Sequence, residues 1–337
     1  MKYLRNSLRS IALFLLLPGM GLQGCAAPNL NATPAVRSYP AGDARNTAAS
    51  EARDGRLRIM TFNIAHGRGD SFHQLLQRSA TTLANLDSIA TLLRDSGAHV
   101  VALQEADAPS FWSGNFNHID HLADNAAFSR SVHGLHVDGM GLAYGTALMA
   151  RLDLRDPQAI TFDPGLSAVP KGFVVSTISW PGNTDVDVDV VSVHLDHASA
   201  ATRRKQVLEL IAALQDRQHP VILMGDFNSD WQDDSTVHYL SQALGLSAYH
   251  PEGAGLETFP ALGKRLDWIL VSAGIAFRSY AVLPDTLSDH RGVLAELELE
   301  RNSATRLART EIVNIPSSQA GGTGLRLKAG SIGHPAD

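Results

Sequence analysis

The sequence predicts an α/β fold in which two sheets form the core, helices lie outside them and a site lies at one edge. Three observations lead to this prediction. Short apolar segments typical of strands outnumber helical segments along the middle of the chain. Polar side chains repeatedly follow the point where these apolar segments end. The remaining amphipathic segments have helical spacing, so we expect them to cover the sheets from outside.

The strands are predicted from apolar alternation and from short apolar runs. Their predicted ranges are 58–64, 98–105, 144–150, 173–179, 186–193, 219–226, 266–271 and 292–299. Asp185, Asp187 and Asp189 alternate along one of these segments. Because strand side chains have period 2, all three share one face, which favours a solvated edge over a metal cluster.

Three helices are predicted from apolar residues at helical spacing, over residues 82–94, 119–130 and 201–214. His118 and His121 lie three residues apart beside the second helix. A zinc site is one interpretation of that spacing, but a solvated helix face is favoured. The region between the two chain ends has about 240 residues, which is within the range of one large α/β domain.

The first residues predict export from the cell. Lys2, Arg5 and Arg9 precede the apolar run 11–17, which is typical of a signal segment and too short to span a bilayer, since a spanning helix needs about 20 residues. The sequence Leu-Gln-Gly-Cys over residues 22–25 resembles a bacterial lipobox. We therefore expect residues 1–24 to be a lipoprotein signal peptide and Cys25 to be acylated.

Cys25 is the chain's single cysteine, so no disulfide forms within one molecule. The alternative is an ordinary signal peptide with an incidental cysteine. The lipobox resemblance implies a protein anchored to the bacterial cell envelope, at the outer membrane if the cell has one, because Ala26 and not Asp follows Cys25. Residues 25–55 are predicted to be a flexible tether, and residues 301–337 a disordered tail.

A set of polar residues at strand ends predicts a metal-dependent site. Carboxylate and amide oxygens are the ligands that Mg²⁺ or Mn²⁺ prefers. The formal net charge of −6 argues against a protein that coats DNA, although a nuclease needs only a local basic groove. The candidates are Asn63, Glu105, His194, Asp226, Asn228, Asp289 and His290 at five strand ends, with Asp267 inside a sixth strand.

These segments resemble the successive motifs of the endonuclease/exonuclease/phosphatase (DNase I-like) superfamily, in order and spacing, over residues 57–300. The resemblance implies a four-layer α/β/β/α sandwich of two mixed sheets. The motif segments are Thr-Phe-Asn at 61–63, Leu-Gln-Glu at 103–105, Ser-Val-His-Leu at 192–195, Gly-Asp-Phe-Asn at 225–228, Leu-Asp at 266–267 and Ser-Asp-His at 288–290.

The resemblance also implies a role for each position. Glu105, helped by Asn63 and Asp289, would hold the divalent ion. Asp226 would orient or deprotonate the attacking water, and Asn228 would donate hydrogen bonds to the phosphoryl group. His290, oriented by Asp267, would stabilise charge in the transition state. His194 would bind the phosphate from the other side or protonate the leaving group.

The substrate is less well specified by the sequence. The segments 63–67 and 144–148 resemble the branch that includes sphingomyelinases and GPI-processing proteins. The leading hypothesis is therefore a monomeric phosphodiesterase that acts on a phospholipid or a small phosphodiester, with His66 and Arg265 as substrate-binding residues. The alternatives are a surface-anchored or secreted endonuclease that acts on nucleic acid, and a lipoprotein that keeps the fold and has lost catalysis.

Overall fold

The computed structural model describes residues 33–39, 55–69, 71, 78–164, 169–233 and 235–300. Two mixed sheets form the centre, with strand order β1-β4-β5-β3-β2-β13-β12 in the first and β10-β11-β9-β8-β7-β6 in the second. The strands are β1 Ala35–Ser38, β2 Arg56–Asn63, β3 Val100–Asp107, β4 Arg130–Gly139, β5 Leu142–Ala150, β6 Arg155–Thr161, β7 Gly172–Trp180, β8 Asn183–His194, β9 Val221–Asp226, β10 Leu246–Ala248, β11 Asp267–Ser272, β12 Ile275–Val282 and β13 Val293–Leu299.

Four α-helices cover the sheets: α1 Ser79–Asp95, α2 His118–Asn125, α3 Ala200–Leu214 and α4 Thr236–Leu244. Asn117 and Ser199 are the N-cap residues of α2 and α3, and the side chain of each accepts a hydrogen bond from a backbone amide of the first turn. Apolar residues of both sheets pack in a central layer. A second apolar layer joins the first sheet to α1 and α2, and a third joins the second sheet to α3 and α4. The predicted four-layer sandwich is confirmed.

The sheet topology brings the predicted strand ends to one edge. β2 and β3 are parallel, as are β8 and β9, so the carboxyl ends of each pair lie side by side. β11 is antiparallel to β9, which places its first residue, Asp267, opposite Asp226. His194 at the end of β8 is also opposite Asp226. The end of β9, with Asp226, therefore lies between Asp267 of β11 and His194 of β8.

Buried polar side chains join the two sheets near this edge. Gln104 in β3 donates a hydrogen bond to Ser192 Oγ in β8 at 3.0 Å, and Thr61 Oγ1 donates to Gln104 Oε1 at 3.3 Å. The Ser192 hydroxyl donates in turn to the Leu103 carbonyl at 3.1 Å. All three polar side chains are fully buried, so their hydrogen bonds fix the distance and register between the sheets.

Three strand and helix predictions were wrong in detail. Ala35–Ser38 pairs with β4, so this part of the predicted tether belongs to the sheet. The second helix ends at Asn125, and Arg130 begins β4 instead of closing the helix. His118 is fully buried, contrary to the predicted solvated face, and its Nε2 lies 3.2 Å from the Ser113 carbonyl.

The alternating aspartates also differ from the prediction. β8 lies inside its sheet, between β7 and β9, and is not an edge strand. Asp189 is fully buried and accepts hydrogen bonds from Thr177 Oγ1 at 2.6 Å and from Arg217 Nη2 at 3.0 Å. A hydroxyl from β7 and a charged guanidinium from the turn before β9 make this buried carboxylate structural, which period-2 spacing alone does not reveal.

Most predictions for the two chain ends concern residues that the structure does not describe. The signal segment 1–24, Cys25 and the tail 301–337 lie outside the described residues. Among the described residues, no helix has the length and apolar character that a membrane span requires.

Candidate functional site

Asp226 lies at the centre of the site and is 1% exposed. Its Oδ2 accepts a hydrogen bond from Asn63 Nδ2 at 2.9 Å, across the gap between the two sheets. The same oxygen lies 3.4 Å from His194 Nε2 and 3.7 Å from His290 Nε2. Side chains from three other strand ends or loops therefore meet at one carboxylate oxygen of Asp226.

Close strand packing beneath Asp226 requires the glycine that precedes it. Gly225 has φ 152°, and a Cβ at this position would lie 2.0 Å from the Val193 carbonyl oxygen of β8. No side chain fits at that distance. The Gly-Asp pair at the end of β9 therefore lets the strand approach β8 closely and delivers the carboxylate beside His194.

An irregularity in β3 directs Glu105 into the site. The pairing of β3 with β5 shifts register between Leu103 and Ala106, and Glu105 has φ 51°. Positive φ is uncommon for a residue with a side chain, and such strain is found at functional sites. The bulge turns the Glu105 carboxylate towards His66, Lys171 and His194, at 3.4, 3.7 and 4.0 Å.

Lys171 is a site residue that the sequence analysis missed. Its Nζ lies 3.1 Å from His194 Nε2, and the residue is 7% exposed. Gly172, next in the chain, pairs with His194 in the β7–β8 ladder, which brings the lysine to this edge. The available signal was a basic residue directly before an apolar strand, and many surface lysines share it.

His66 is held by a second missed residue, Asp107. Asp107 Oδ1 lies 2.6 Å from His66 Nδ1, and its Oδ2 accepts hydrogen bonds from the Trp112 indole at 2.8 Å and from Ser113. The rings of Trp112 and Tyr144 lie 5.0 and 4.9 Å from the His66 ring. Asp107 follows Glu105 by two residues on β3, so period 2 was the signal that could have identified it.

On the opposite side, Asp267 orients His290. Asp267 Oδ2 lies 2.8 Å from His290 Nδ1, which leaves Nε2 directed towards Asp226. The Thr258 hydroxyl accepts hydrogen bonds from the backbone amides of residues 266 and 267 and so fixes the start of β11. The Phe259 ring packs 4.9 Å from the imidazole. The predicted pairing of Asp267 with His290 is present in the structure.

The buried environment shifts the pKa values of these groups in different directions. Burial raises the pKa of Asp226 to about 7, and Asp267 adds to the increase while His290 opposes it. Burial disfavours the charged imidazole of His290, but the carboxylates of Asp267 and Asp226 outweigh it and raise its pKa to about 10. Burial and the nearby Lys171 hold the pKa of His194 well below its usual range.

Around Glu105 the charges are paired. Burial disfavours its ionised form, but His66, Lys171 and His194 together hold the pKa of this carboxyl far below its usual range. Burial also disfavours protonation of His66, yet Asp107 and Glu105 raise its pKa. The site thus combines a charged carboxylate, a protonated His290, a neutral His194 and a carboxylate of near-neutral pKa.

Three predicted site residues have contacts that differ from their expected roles. The Arg265 guanidinium donates to the Tyr249 and His250 carbonyls and is 4% exposed, so its hydrogen bonds are to protein groups, and the substrate contact stays a prediction. The Asn228 amide donates to the Leu195 carbonyl at 2.9 Å. Asp289 is paired with Arg68, a contact that the sequence did not predict.

The donor atoms fit a hard divalent cation. Atoms of Asp226, Asp267 and His290 lie within 4.8 Å of one another, and because the protonated His290 has no free lone pair, the two carboxylates are the ligands that this group offers. Asp267 Oδ1 is buried and has no hydrogen-bond partner among the described residues, so an acceptor remains for a cation. The predicted metal ligands Asn63, Glu105 and Asp289 are different residues. Asn63 and Glu105 lie at the site, and Asp289 is paired with Arg68.

The described site can be compared with known proteins. No curated protein sequence matches this chain. An endonuclease/exonuclease/phosphatase from Beutenbergia cavernae shares the fold, with a TM-score of 0.59, 20% sequence identity and 72% of each chain covered. The catalytic domain of human Nocturnin gives a TM-score of 0.57 and 16% identity over 79% of this chain and 98% of that chain. A mannosyl-6-phosphatase from Bacteroides thetaiotaomicron gives a TM-score of 0.57 and 19% identity over 72% of this chain and 99% of that chain.

At these identities the solved structures establish the fold alone. The profile of the Endonuclease/Exonuclease/phosphatase family matches residues 60–290, which is more than half of the 337 residues. The matched range includes every site residue that meets at Asp226. This chain therefore belongs to the Endonuclease/Exonuclease/phosphatase family.

Proposed function

We propose that this protein is a divalent-metal-dependent phosphodiesterase that acts on a phospholipid or a small phosphodiester. Members of its family are generally phosphoester hydrolases that depend on a divalent metal. The observation that carries the proposal is the meeting of Asn63, His194 and His290 at Asp226 Oδ2, within 2.9 to 3.7 Å. Such a group can activate water beside a phosphoryl group without a covalent nucleophile.

Asp226 is the proposed general base. Burial raises its pKa to about 7, so near neutral pH it exchanges a proton with water readily. Asn63 holds its Oδ2 by a hydrogen bond and so fixes the direction in which the carboxylate accepts a proton. A divalent ion held by Glu105 and Asn63 would neutralise charge on the phosphoryl oxygens and the leaving oxygen.

The two histidines have separate roles in this proposal. His290, protonated and oriented by Asp267, donates to a phosphoryl oxygen and stabilises its growing negative charge. His194 is neutral, and Lys171 lies beside it with a donor for a second phosphoryl oxygen or for the leaving oxygen. Glu105, Tyr144, Lys171 and His194 line one small cleft of about 10 Å³, which has room for about one water molecule.

A surface endonuclease is the second candidate, favoured by the aromatic rings of Trp112 and Tyr144 beside the site. Stacking rings and a basic groove are what a nuclease needs. However, both rings already pack on His66, and residues 108–116 and 138–142 contain no Lys or Arg. These observations favour a small or uncharged group on the phosphodiester over a nucleic-acid strand.

Hydrolysis of three soluble substrates with Mg²⁺ tests the proposal. Bis(p-nitrophenyl) phosphate represents diesters, p-nitrophenyl phosphate represents the monoesters that the name of the fold-related mannosyl-6-phosphatase suggests, and supercoiled plasmid represents DNA. We expect diester cleavage that EDTA stops and Asp226→Asn reduces at least about a hundredfold. Faster monoester cleavage, or plasmid nicking as the main activity, would replace the proposal. Metal binding without hydrolysis would indicate a lipoprotein that has lost catalysis.

We also propose that the protein is exported and anchored through an acylated Cys25. The lipobox-like segment before this cysteine supports the proposal. Several acyl chains would give stable anchoring, since each buried CH₂ contributes about 0.8 kcal/mol. The mass of the mature N-terminus tests it: a diacylated or triacylated Cys25 is expected, and an unmodified N-terminus after cleavage at another position would overturn it.

A further inference from the structure

Two large apolar side chains are exposed beside each other, Met140 at the turn between β4 and β5 and Phe111 in the loop between β3 and α2. Met140 is 75% exposed and Phe111 is 61% exposed, the first and second highest values among the exposed large hydrophobic residues described. The Phe111 amide donates to the Gly141 carbonyl at 3.0 Å, and a Cβ on Gly141 would lie 3.3 Å from the Phe111 ring. The two residues therefore form one surface, here called the Phe111–Met140 surface.

The turn geometry does not explain why Met140 is apolar. Met140 has φ 54° and lies between Gly139 and Gly141, both of which also have positive φ. Gly or Asn would adopt this conformation more easily and would not expose a hydrophobic side chain. An apolar residue kept at a strained, solvent-facing position points to a contact outside the described fold.

The surface adjoins the catalytic site. Trp112 follows Phe111 in the chain, and its ring lies 5.0 Å from the His66 ring. His66 Nε2 is 3.4 Å from Glu105 Oε2. One aromatic residue and one imidazole thus separate the exposed surface from a predicted metal ligand, so whatever covers the surface also lies next to the mouth of the site.

The direction of β1 brings the chain that precedes it to the same end of the sheet. β1 is antiparallel to β4, with Ala35 opposite His133 and Ser38 opposite Arg130. The chain therefore enters β1 from the side towards which β4 runs, and β4 ends at the Met140 turn, about 20 Å beyond His133 at the usual rise per residue.

The reach of the preceding segment fits this arrangement. Ten positions separate Cys25 from Ala35, and an extended chain of that length spans at most about 36 Å. An anchor at Cys25 thus lies within reach of the end of the molecule that carries Phe111 and Met140. A bilayer that holds the anchor would be available to this surface.

The charge around the surface indicates which kind of bilayer fits. Residues 108–116 and 138–142 include one acid, Asp138, and neither Lys nor Arg. Attraction to anionic headgroups is therefore absent from these segments, and apolar insertion must supply the binding. This composition matches a surface of zwitterionic phospholipid.

We propose that the Phe111–Met140 surface inserts into a zwitterionic phospholipid bilayer and turns the catalytic site towards it. The proposal deepens the proposed function, on which it rests, because it names the membrane as the place where the substrate is met. Insertion of one aromatic and one thioether side chain is reversible, so the anchor keeps the protein at the membrane while the surface sets its orientation.

Site-specific fluorescence tests insertion separately from binding through the N-terminal segment. The intact chain with Cys25→Ser carries no cysteine, so Met140→Cys, Phe111→Cys or Leu208→Cys each allows a single environment-sensitive label. Leu208 on α3 is a matched control, since it is 48% exposed and lies on the helix that covers the other sheet.

The probe is phosphatidylcholine vesicles with a small share of nickel-chelating lipid, which holds an N-terminal His tag on each labelled protein in place of the acyl anchor. We expect the emission of labels at 140 and 111 to shift to the blue, and a lipid-borne quencher to quench them, while the label at 208 does neither. Equal responses at all three positions, or none at 140 and 111, would overturn the proposal. A dimer that is lost in Phe111→Ser/Met140→Ser, without lipid insertion, would assign the surface to a second copy and would also overturn it.

Activity separates this proposal from the proposed function. Phe111→Ser/Met140→Ser should cut hydrolysis of phospholipid in vesicles at least about tenfold and leave hydrolysis of bis(p-nitrophenyl) phosphate unchanged. Leu83→Ser/Leu208→Ser is the control, since Leu83 is 40% and Leu208 48% exposed, and it should change the hydrolysis of neither substrate. If the parent cleaves neither substrate, the phosphodiesterase proposal fails while the label responses still decide whether the surface inserts.

Discussion

Asp226→Asn replaces one carboxylate oxygen by an amide group of the same size, so its effects on stability and on turnover can be separated. Oδ2 of Asp226 accepts a hydrogen bond from the Asn63 side chain, and Oδ1 accepts one from the backbone N–H of Asn228, both at 2.9 Å. The amide keeps only one acceptor, so in either orientation one donor faces another. That loss destabilises the fold by about 1–3 kcal/mol.

The removal of the buried charge acts in the opposite direction. Burial raises the pKa of Asp226 to about 7 in the folded protein, compared with about 3.9 in an unfolded chain. A raised acid pKa means that the folded state disfavours the ionised form, so the parent loses stability as the pH rises from about 4 to 7. At about 1.4 kcal/mol per pKa unit, the loss is on the order of 4 kcal/mol at neutral pH. Asp226→Asn does not ionise, so it does not undergo this loss of stability.

We therefore expect the variant to be at least as stable as the parent at pH 8, and less stable than the parent near pH 4, where the parent carboxyl is protonated. Turnover of a soluble phosphodiester should still fall at least about a hundredfold, because the proton acceptor is gone. Thermal unfolding in EDTA at both pH values measures the first effect without stabilisation by a bound cation. Initial rates with Mg²⁺ measure the second.

One result would refute this reasoning. If Asp226→Asn lowers the melting temperature more at pH 8 than at pH 4, and activity falls in proportion to the folded fraction, then Asp226 is a structural residue. The pH dependence would then have to come from other groups. Equal turnover in parent and variant would remove Asp226 from the catalytic mechanism.

Three further changes test other parts of the structure. Lys171→Met removes the ammonium group 3.7 Å from Glu105 Oε1; we expect soluble-diester turnover per folded molecule to fall at least about tenfold, and Lys171→Arg to retain more activity. Asp189→Asn leaves Arg217 without its buried carboxylate partner, and urea unfolding at pH 7 should show about 3–5 kcal/mol less stability. Burial opposes ionisation of Asp189, but hydrogen bonds from Arg217 outweigh it and lower its pKa, so this difference should narrow as acid protonates the parent. Gly225→Ala places a Cβ 2.0 Å from a carbonyl oxygen of the neighbouring strand, and we expect little soluble folded protein.

Each of these changes has a matched control. Asp187→Asn lies two residues from Asp189 on the same face, and its partner Arg155 is 45% exposed, so its loss should change stability by less than about 1 kcal/mol. Gly139→Ala has almost the same φ as Gly225 but open space around the added Cβ, so it isolates the contact from the backbone conformation. Unchanged turnover in Lys171→Met would exclude that lysine from catalysis.

Much of the site could be predicted because its residues follow apolar strands directly. Asn63, His194 and Asp226 each end a strand, and a strand pattern shows where its last side chain falls; Glu105 lies two residues before the end of β3. Asp267 was predicted with His290 from the family resemblance, and the 2.8 Å contact between them is present. Order along the chain was sufficient here because parallel neighbours deliver their ends to the same edge.

The residues that were missed or wrongly assigned depend on contacts between distant segments. Lys171 reaches the site because β7 pairs with β8, and Arg265 is buried with the Tyr249 and His250 carbonyls, which accept hydrogen bonds from its guanidinium. Asp189 carries a polar side chain that is typical of a surface, yet it is buried with Thr177 and Arg217, which lie 12 and 28 residues away in the chain. None of these partners lies within the span over which a periodic pattern carries information.

The sequence by itself determined the α/β class, the two-sheet core and the strand ends that carry the central acids, amides and imidazoles. Period 2 and period 3.6 are local properties of the backbone, so they are legible in the chain. The tertiary structure alone decided that Asp226 is the common contact, that Lys171 and Asp107 belong to the site, and that Phe111 and Met140 share one surface. Those outcomes depend on strand order, on a bulge at Glu105 and on burial, which arise only when segments far apart in the chain are packed together.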